Sequence, residues 1–301
     1  MFRKISNCLP ALGVGFSGLT TLSRPKSVLI FTIQRATSTI LYRIFAQAVE
    51  GRDGEYPKGS CLLEPTSQAF HLENGLGEMV GFERQENWPR TTEESKSLML
   101  SKVRKGFTVI KDQSYQWQHL IDDDYLAQIL QYAQPIFLIR SPEATIASGL
   151  YPYYVANDVT EFSEEEVGFV AQEQLFQRCA KILGREPDVI EAESYLAEPE
   201  KVLPAYFARL NLPWHQSYLT MKTMSDLELR ADPAVAVWGA AWYKDAFTTS
   251  QVTPKNLSRG SFAPKYKEML KDPLVNRRYQ EALARSLDSY QTLKQRVPAL
   301  L

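Results

Sequence analysis

The stretch that decides the fold is Ser27-Val28-Leu29-Ile30-Phe31-Thr32-Ile33-Gln34-Arg35-Ala36-Thr37-Ser38-Thr39. Its opening residues, Ser27 to Thr32, form an unbroken apolar run rich in β-branched side chains, the pattern of a strand buried on both faces. A helical period follows, with Ile40, Leu41, Ile44, Phe45 and Ala48 on one face as far as Val49. Gly51 and Gly54 end it. Between strand and helix stand an arginine and a run of hydroxyl side chains. A helix opened by a tight loop presents free amides and a positive dipole end, which attract phosphate or sulfate. Thr37, Ser38 and Thr39 add donors, and Arg35 adds a fixed cationic fork. Helix capping would account for one of the hydroxyls, but not for an arginine placed among them beyond a buried strand. No glycine occurs between Gly18 and Gly51, so the GxxxxGK[ST] pattern is absent. Nor does an acidic residue pair with the loop as the magnesium holder that a kinase or ATPase requires.

Outward from this unit, strands are expected at 107–110, 135–139 and 188–190. Helical segments are expected at about 91–105, 122–133, 164–183 and 199–209. Strands alternating with helices imply an α/β protein, a P-loop-like three-layer fold whose central parallel sheet is flanked by helices. Ligands of such sheets bind beyond the carboxyl ends of the strands, here just after Thr32, Ile110 and Ile139. No linker or repeat divides the chain, so residues 26–301 read as one domain behind an N-terminal extension, 1–25.

The 301 residues carry 34 Lys plus Arg against 35 Asp plus Glu, a net charge of −1, which argues against nucleic acid or a long polyanion as partner. The acidic runs Asp122-Asp123-Asp124 and Glu164-Glu165-Glu166 read as solvated helix starts, or as a rim that draws a cationic acceptor. Three cysteines without metal-ligand or CxxC spacing, and three histidines without HExxH, point to neither a disulfide framework nor a metal site. Arg3 and Lys4 precede a mildly apolar stretch broken by Pro10 and glycines, too short to span a bilayer. A cytoplasmic protein without a membrane partner is the expectation.

The loop after the third expected strand reads Phe137-Leu138-Ile139-Arg140-Ser141-Pro142-Glu143-Ala144-Thr145-Ile146-Ala147-Ser148. Pro142 suits a helix's first turn, with Ser141 as cap, and Arg140 and Ser148 are placed to grip a second phosphate. Together the two loops resemble the sulfotransferase family that uses 3′-phosphoadenosine-5′-phosphosulfate. QRATST stands for its P-[RK]-S-G-[ST]-[ST] signature, and FLIRSPEATIAS for its hhRdPrdhhhS signature, where h is apolar. VIEAESYLAEPEKVLPAYFARLNLPW is similar to a third family stretch, and W-x3-W-Y-K-D-A-F-x-x-S resembles a Trp-Tyr-rich tail of microbial relatives. The resemblance covers about residues 26–250 in four islands. It implies that Arg35, Ala36, Thr37, Ser38 and Thr39 hold the 5′-phosphosulfate and that Arg140 and Ser148 hold the 3′-phosphate. A glycine-rich donor-closing loop like the family's is not evident near the C-terminus, and Arg259-Gly260 is the only candidate for it. Gln34 replaces the usual proline, Ser141 a common aspartate, and Thr37 a common glycine, so the loop backbone is expected to differ locally there.

The resemblance also implies in-line sulfuryl transfer without a metal, Arg35 stabilising the leaving oxygens. The family's Lys-Thr-His segment corresponds to Lys111-Asp112-Gln113. Glutamine cannot be a general base, which leaves Asp112 nearest, with His119 and His71 as alternatives. Tyr115, Trp117, Tyr151 and Tyr154, gathered after the loop-bearing strands, suit a compact organic or cationic acceptor bearing a hydroxyl or nitrogen. The rival readings are a P-loop kinase or NTPase and a nucleotide-binding protein that has lost catalysis.

Overall fold

The computed structural model describes residues 26–50, 60–75, 85–156, 159–223, 240–252 and 264–299. The expected N-terminal extension and the Arg259-Gly260 pair lie outside them. β1 (Ser27–Thr32) is buried along its whole length, as its apolar run requires, and leads into α1 (Ser38–Glu50). β2 (Ser60–Leu63), which no strand pattern announces, is followed by α2 (Ser67–Glu73) and α3 (Thr92–Lys105). The amino end of α3 is set by Thr91, whose hydroxyl accepts from Glu94 N at 3.2 Å. Glu93 and Glu94 in its first turn, and Lys102, Arg104 and Lys105 in its last, complement the helix dipole.

β3 (Thr108–Gln113) runs past the expected Ile110 end and carries Lys111, Asp112 and Gln113 inside the sheet. α4 (Ser114–Leu120) and α5 (Asp123–Leu130) follow. Asp122 caps α5 through Tyr125 N at 2.7 Å and pairs with Lys96 at 2.8 Å, while Asp123 pairs with Arg178 at 2.7 Å. These two acids are therefore structural ties at the start of α5. α5 stops earlier than its period suggests because β4 (Ala133–Ile139) starts at Ala133. α6 (Pro142–Val155) begins with its proline in the first turn, but the Ser141 side chain makes no capping bond. The expected 164–183 helix is two, α7 (Glu164–Val167) and α8 (Phe169–Leu183), broken at Gly168, whose φ of 89° suits glycine. β5 (Asp188–Glu191), α9 (Ala192–Ala197), α10 (Pro199–Arg209), α11 (Ala240–Thr248), α12 (Pro264–Met269) and α13 (Pro273–Lys294) complete the described elements.

The five strands form one sheet in the order β2-β3-β1-β4-β5, every neighbouring pair parallel. Helices flank it, so the expected three-layer α/β architecture is the observed one. β1 lies at its centre, with Thr32 in register with Gln113 of β3 and Leu138 of β4. Its carboxyl end, and the loops beyond it, therefore meet those of β3 and β4.

An aromatic chain covers one face of the sheet. Phe31 meets Trp117 edge-on at 4.8 Å and Phe137 at 5.1 Å, and Phe137 meets Phe176 of α8 at 5.3 Å. Trp117 is fully buried in this layer. It belongs to the core and not to an acceptor pocket, because α4 turns that side chain onto the sheet. α1 and α10 pack on each other through Phe45 and Phe207, stacked at 4.7 Å. Among the described residues no helix is long and apolar enough to cross a membrane.

Candidate functional site

Past Thr32 the chain turns through Arg35 and Thr37, both left-handed at φ 60° and 61°. Thr37 thus keeps the conformation that glycine would adopt, and the expected local departure of the backbone does not occur. A β-branched residue is strained there, and Tyr195 of α9 holds it in place. The Tyr195 hydroxyl lies 2.9 Å from Thr37 Oγ1 and donates to the Thr37 carbonyl at 3.0 Å. Ala36, Ser38 and Thr39 are buried around the turn.

The loop that bears Arg140 is joined to the loop that bears Arg35. Arg140 donates from a terminal nitrogen to the Arg35 carbonyl at 2.6 Å, and Arg35 Nε donates to Ser148 Oγ at 3.1 Å. Burial holds both guanidiniums below their ordinary values, and for Arg35 the charge of Arg140 adds to the effect. Among the described residues no carboxylate lies within ion-pair distance of Arg140. Two crowded, desolvated cations fit a bound polyanion, which would relieve both costs. Tyr266 of α12 lies near both. Tyr151, one turn beyond Ser148 on α6, meets Tyr266 at 5.7 Å and Tyr154 at 6.5 Å, and Lys265 Nζ stands 4.3 Å over its ring. Tyr151 and Tyr154 thus gather at the Arg140–Ser148 end of the site.

A second cluster forms where β2 and β3 end. The carboxylate of Glu64, directly after β2, accepts from Lys111 Nζ and, at 2.9 Å, from Gln113 Nε2. The Tyr243 hydroxyl of α11 donates to the same carboxylate, and burial next to that charge pushes this phenol well up. Glu64 itself is left-handed, at φ 50°. Leu63 is in register with Lys111, so plain alternation would turn Glu64 to the opposite face, beside Asp112. The left-handed turn reverses it onto the face of Lys111 and Gln113. Tyr243 also lies near Arg35, which connects this carboxylate with the anion loop.

Asp112 points the other way along β3. Its Oδ2 accepts from Thr66 N at 3.2 Å, Thr66 Oγ1 at 2.8 Å and Trp117 Nε1 at 2.9 Å, and its Oδ1 accepts from Gln113 N at 3.0 Å. Desolvation lifts its carboxyl to about 7, opposed by the Trp117 and Thr66 hydrogen bonds. A carboxylate enclosed by these donors ties the start of α2 and α4 to β3, which gives the acid expected as base a structural part in the fold. Burial lowers His71 to about 4, whereas His119 is exposed at the end of α4 beside Phe70, 6.0 Å between rings. Tyr115, also buried, packs on Phe70 at 5.2 Å and lies near Tyr243. The sequence reading missed Glu64 and Tyr243; the only signal for Glu64 was an acid directly after a short apolar run, Cys61-Leu62-Leu63.

No protein-family model and no curated protein sequence matches the chain. Solved structures do. Three of the structures it resembles are sulfotransferases. One is the sulfotransferase domain from the curacin biosynthetic pathway, at 13% identity and TM-score 0.38, covering 83% of this chain and 98% of that one. Another is the sulfotransferase domain from the Synechococcus PCC 7002 olefin synthase, at 17% identity and TM-score 0.41, covering 82% and 94%. A third is a sulfotransferase from Alicyclobacillus acidocaldarius, at 16% identity and TM-score 0.40, covering 74% and 97%. At such identities the chain's own residues have to decide its chemistry.

Proposed function

We propose that the domain formed by residues 26–301 is a cytoplasmic sulfotransferase that moves a sulfuryl group from 3′-phosphoadenosine-5′-phosphosulfate to a small acceptor. The observation that carries this reading is the union of two arginine-bearing loops, joined through Arg35, Arg140 and Ser148, with a buried carboxylate at the neighbouring strand ends. The donor supplies an activated sulfuryl group and two phosphate ends that match the two loops.

In this scheme Arg35, Ser38 and Thr39 hold the phosphosulfate, and Arg140 and Ser148 hold the 3′-phosphate. Glu64 takes the proton of the acceptor, whose heteroatom forms the new bond to sulfur as the bond from sulfur to the phosphate oxygen breaks. Arg35 stabilises the charge left on that oxygen, the kind of preorganised electrostatic help that dominates such transfers. Lys111 and Gln113 fix the carboxylate that receives the proton. Lys265 and Tyr266 supplement the donor end beside Tyr151.

Thermal-shift measurements with adenosine 3′,5′-bisphosphate against ATP plus magnesium test the donor. A rise in Tm with the bisphosphate, lost in Arg140→Ala, is the expected outcome; stabilisation by ATP plus magnesium alone would overturn the reading in favour of a kinase. For the base, Glu64→Gln is expected to lower kcat by about a hundredfold or more while bisphosphate binding persists.

A further inference from the structure

We propose that the acceptor atom is a nitrogen carrying two hydrogens, an amine-, amide- or guanidine-type group, and that Gln113 selects it. The inference rests on the sulfuryl-transfer reading and deepens it. Gln113 closes β3 in register with Thr32, where the chain leaves the sheet for the Arg35 loop. It is only 7% exposed. Its Nε2 donates to Glu64 Oε1 at 2.9 Å, and its Oε1 has no hydrogen-bond partner.

A buried carbonyl oxygen without a donor is costly, and native structures keep one where a ligand or water completes it. The amide cannot escape by reversing. That rotation would set its carbonyl against the Glu64 carboxylate, two acceptors face to face. Glu64 therefore holds Gln113 with its oxygen free for an incoming donor.

Two acceptors now stand side by side, the Glu64 carboxylate and Gln113 Oε1. A hydroxyl brings one hydrogen. If Glu64 receives it, Gln113 Oε1 meets an oxygen lone pair and stays unsatisfied. An uncharged N–H2 group brings two, one for each oxygen, and keeps its lone pair for sulfur. In the transfer the N–S bond forms, the S–O bond to the phosphate breaks with its electron pair on the leaving oxygen, and one N–H proton passes to Glu64. The other hydrogen stays on the nitrogen, hydrogen-bonded to Gln113 Oε1, and the product is a sulfamate.

The test uses small nucleophiles that enter any acceptor pocket. Release of adenosine 3′,5′-bisphosphate from the sulfated donor is followed with the whole protein in methoxyamine, which is uncharged at neutral pH, and in ethanol at equal concentration, with the sulfated products identified by mass. The expected result is methoxyamine at least about tenfold above ethanol in the wild type, falling below about threefold in Gln113→Leu. Ethanol equal to or faster than methoxyamine overturns the inference and leaves the sulfotransferase standing. So does neither nucleophile exceeding the water rate in a protein that binds the bisphosphate. A protein that neither binds the bisphosphate nor turns over the donor overturns both readings. If Gln113→Leu does not fold, Gln113→Met, closer in shape and also without the amide, takes its place in the same comparison.

Discussion

Asp112→Asn separates a structural carboxylate from a catalytic one. In the unfolded chain this carboxyl titrates near 3.8; in the fold, desolvation carries it to about 7. Between those values the folded protein holds a proton that the unfolded chain has released. Stability must then fall as pH rises through the window, with no penalty below it and the full penalty above it. At 1.36 kcal/mol per pH unit the interval amounts to about 4 kcal/mol. Asparagine cannot ionise, so the variant escapes this loss. It has a cost of its own: Thr66 N–H, Trp117 Nε1–H and Gln113 N–H all point at the carboxylate, and an amide nitrogen facing one of them forfeits about 1–3 kcal/mol. The variant should therefore be the less stable protein near pH 4 and the more stable one near pH 8. Its stability relative to wild type should climb by about 4 kcal/mol between them. Urea unfolding followed by tryptophan fluorescence suits the measurement, since Trp117 donates directly to this carboxylate. A difference that stays flat across the window would refute the reasoning. The same variant should keep its turnover, because the side chain lies on the face of β3 opposite Lys111 and Gln113 and is enclosed by its own donors; loss of turnover with the fold intact would assign the base role to Asp112.

Two further outcomes follow from local backbone chemistry. At Thr37, with φ 61°, Thr37→Gly removes the strain and Thr37→Ala retains it, while both lose the Oγ1 contact with Tyr195 and keep its bond to the backbone carbonyl; the glycine variant should be the more stable of the two by about 1 kcal/mol in denaturant unfolding. Asp272 caps α13 by accepting from Leu274 N at 2.8 Å and Val275 N at 3.2 Å, so Asp272→Ala should cost about 1 kcal/mol, read as a lowered urea midpoint at unchanged slope.

The central strands were legible because burial on both faces leaves its mark in composition: Val28 to Phe31 and Ile136 to Ile139 are apolar without interruption. The anion loops were legible for a chemical reason, since Arg35 and Arg140 follow such strands directly. β2 was not. It sits at the sheet edge, has four residues, and exposes Cys61, so neither length nor period distinguishes it from a loop. Tyr243 was hidden for another reason. Arg43 of α1 donates to the carbonyls of Ala246, Thr249 and Lys222, which ties α11, the helix that bears Tyr243, to α1. That contact joins residues remote in sequence, and no local pattern encodes it.

The end of β3 shows how a few residues change the reading of a site. With β3 ended at Ile110, Lys111, Asp112 and Gln113 look like three equivalent loop positions, and the acid among them is the natural base. With β3 continued to Gln113, alternation sorts them: Lys111 and Gln113 share a face, and Asp112 takes the other. The lysine and the glutamine then need an anionic partner on their own face. A strand neighbour supplies it, and the left-handed turn at Glu64 is the backbone's means of bringing that carboxylate across. In the proposed scheme the glutamine at the histidine position is therefore no sign of a lost catalyst: it holds the carboxylate that would take the proton, and its amide oxygen, without a partner, is the one offered to the other hydrogen of the acceptor.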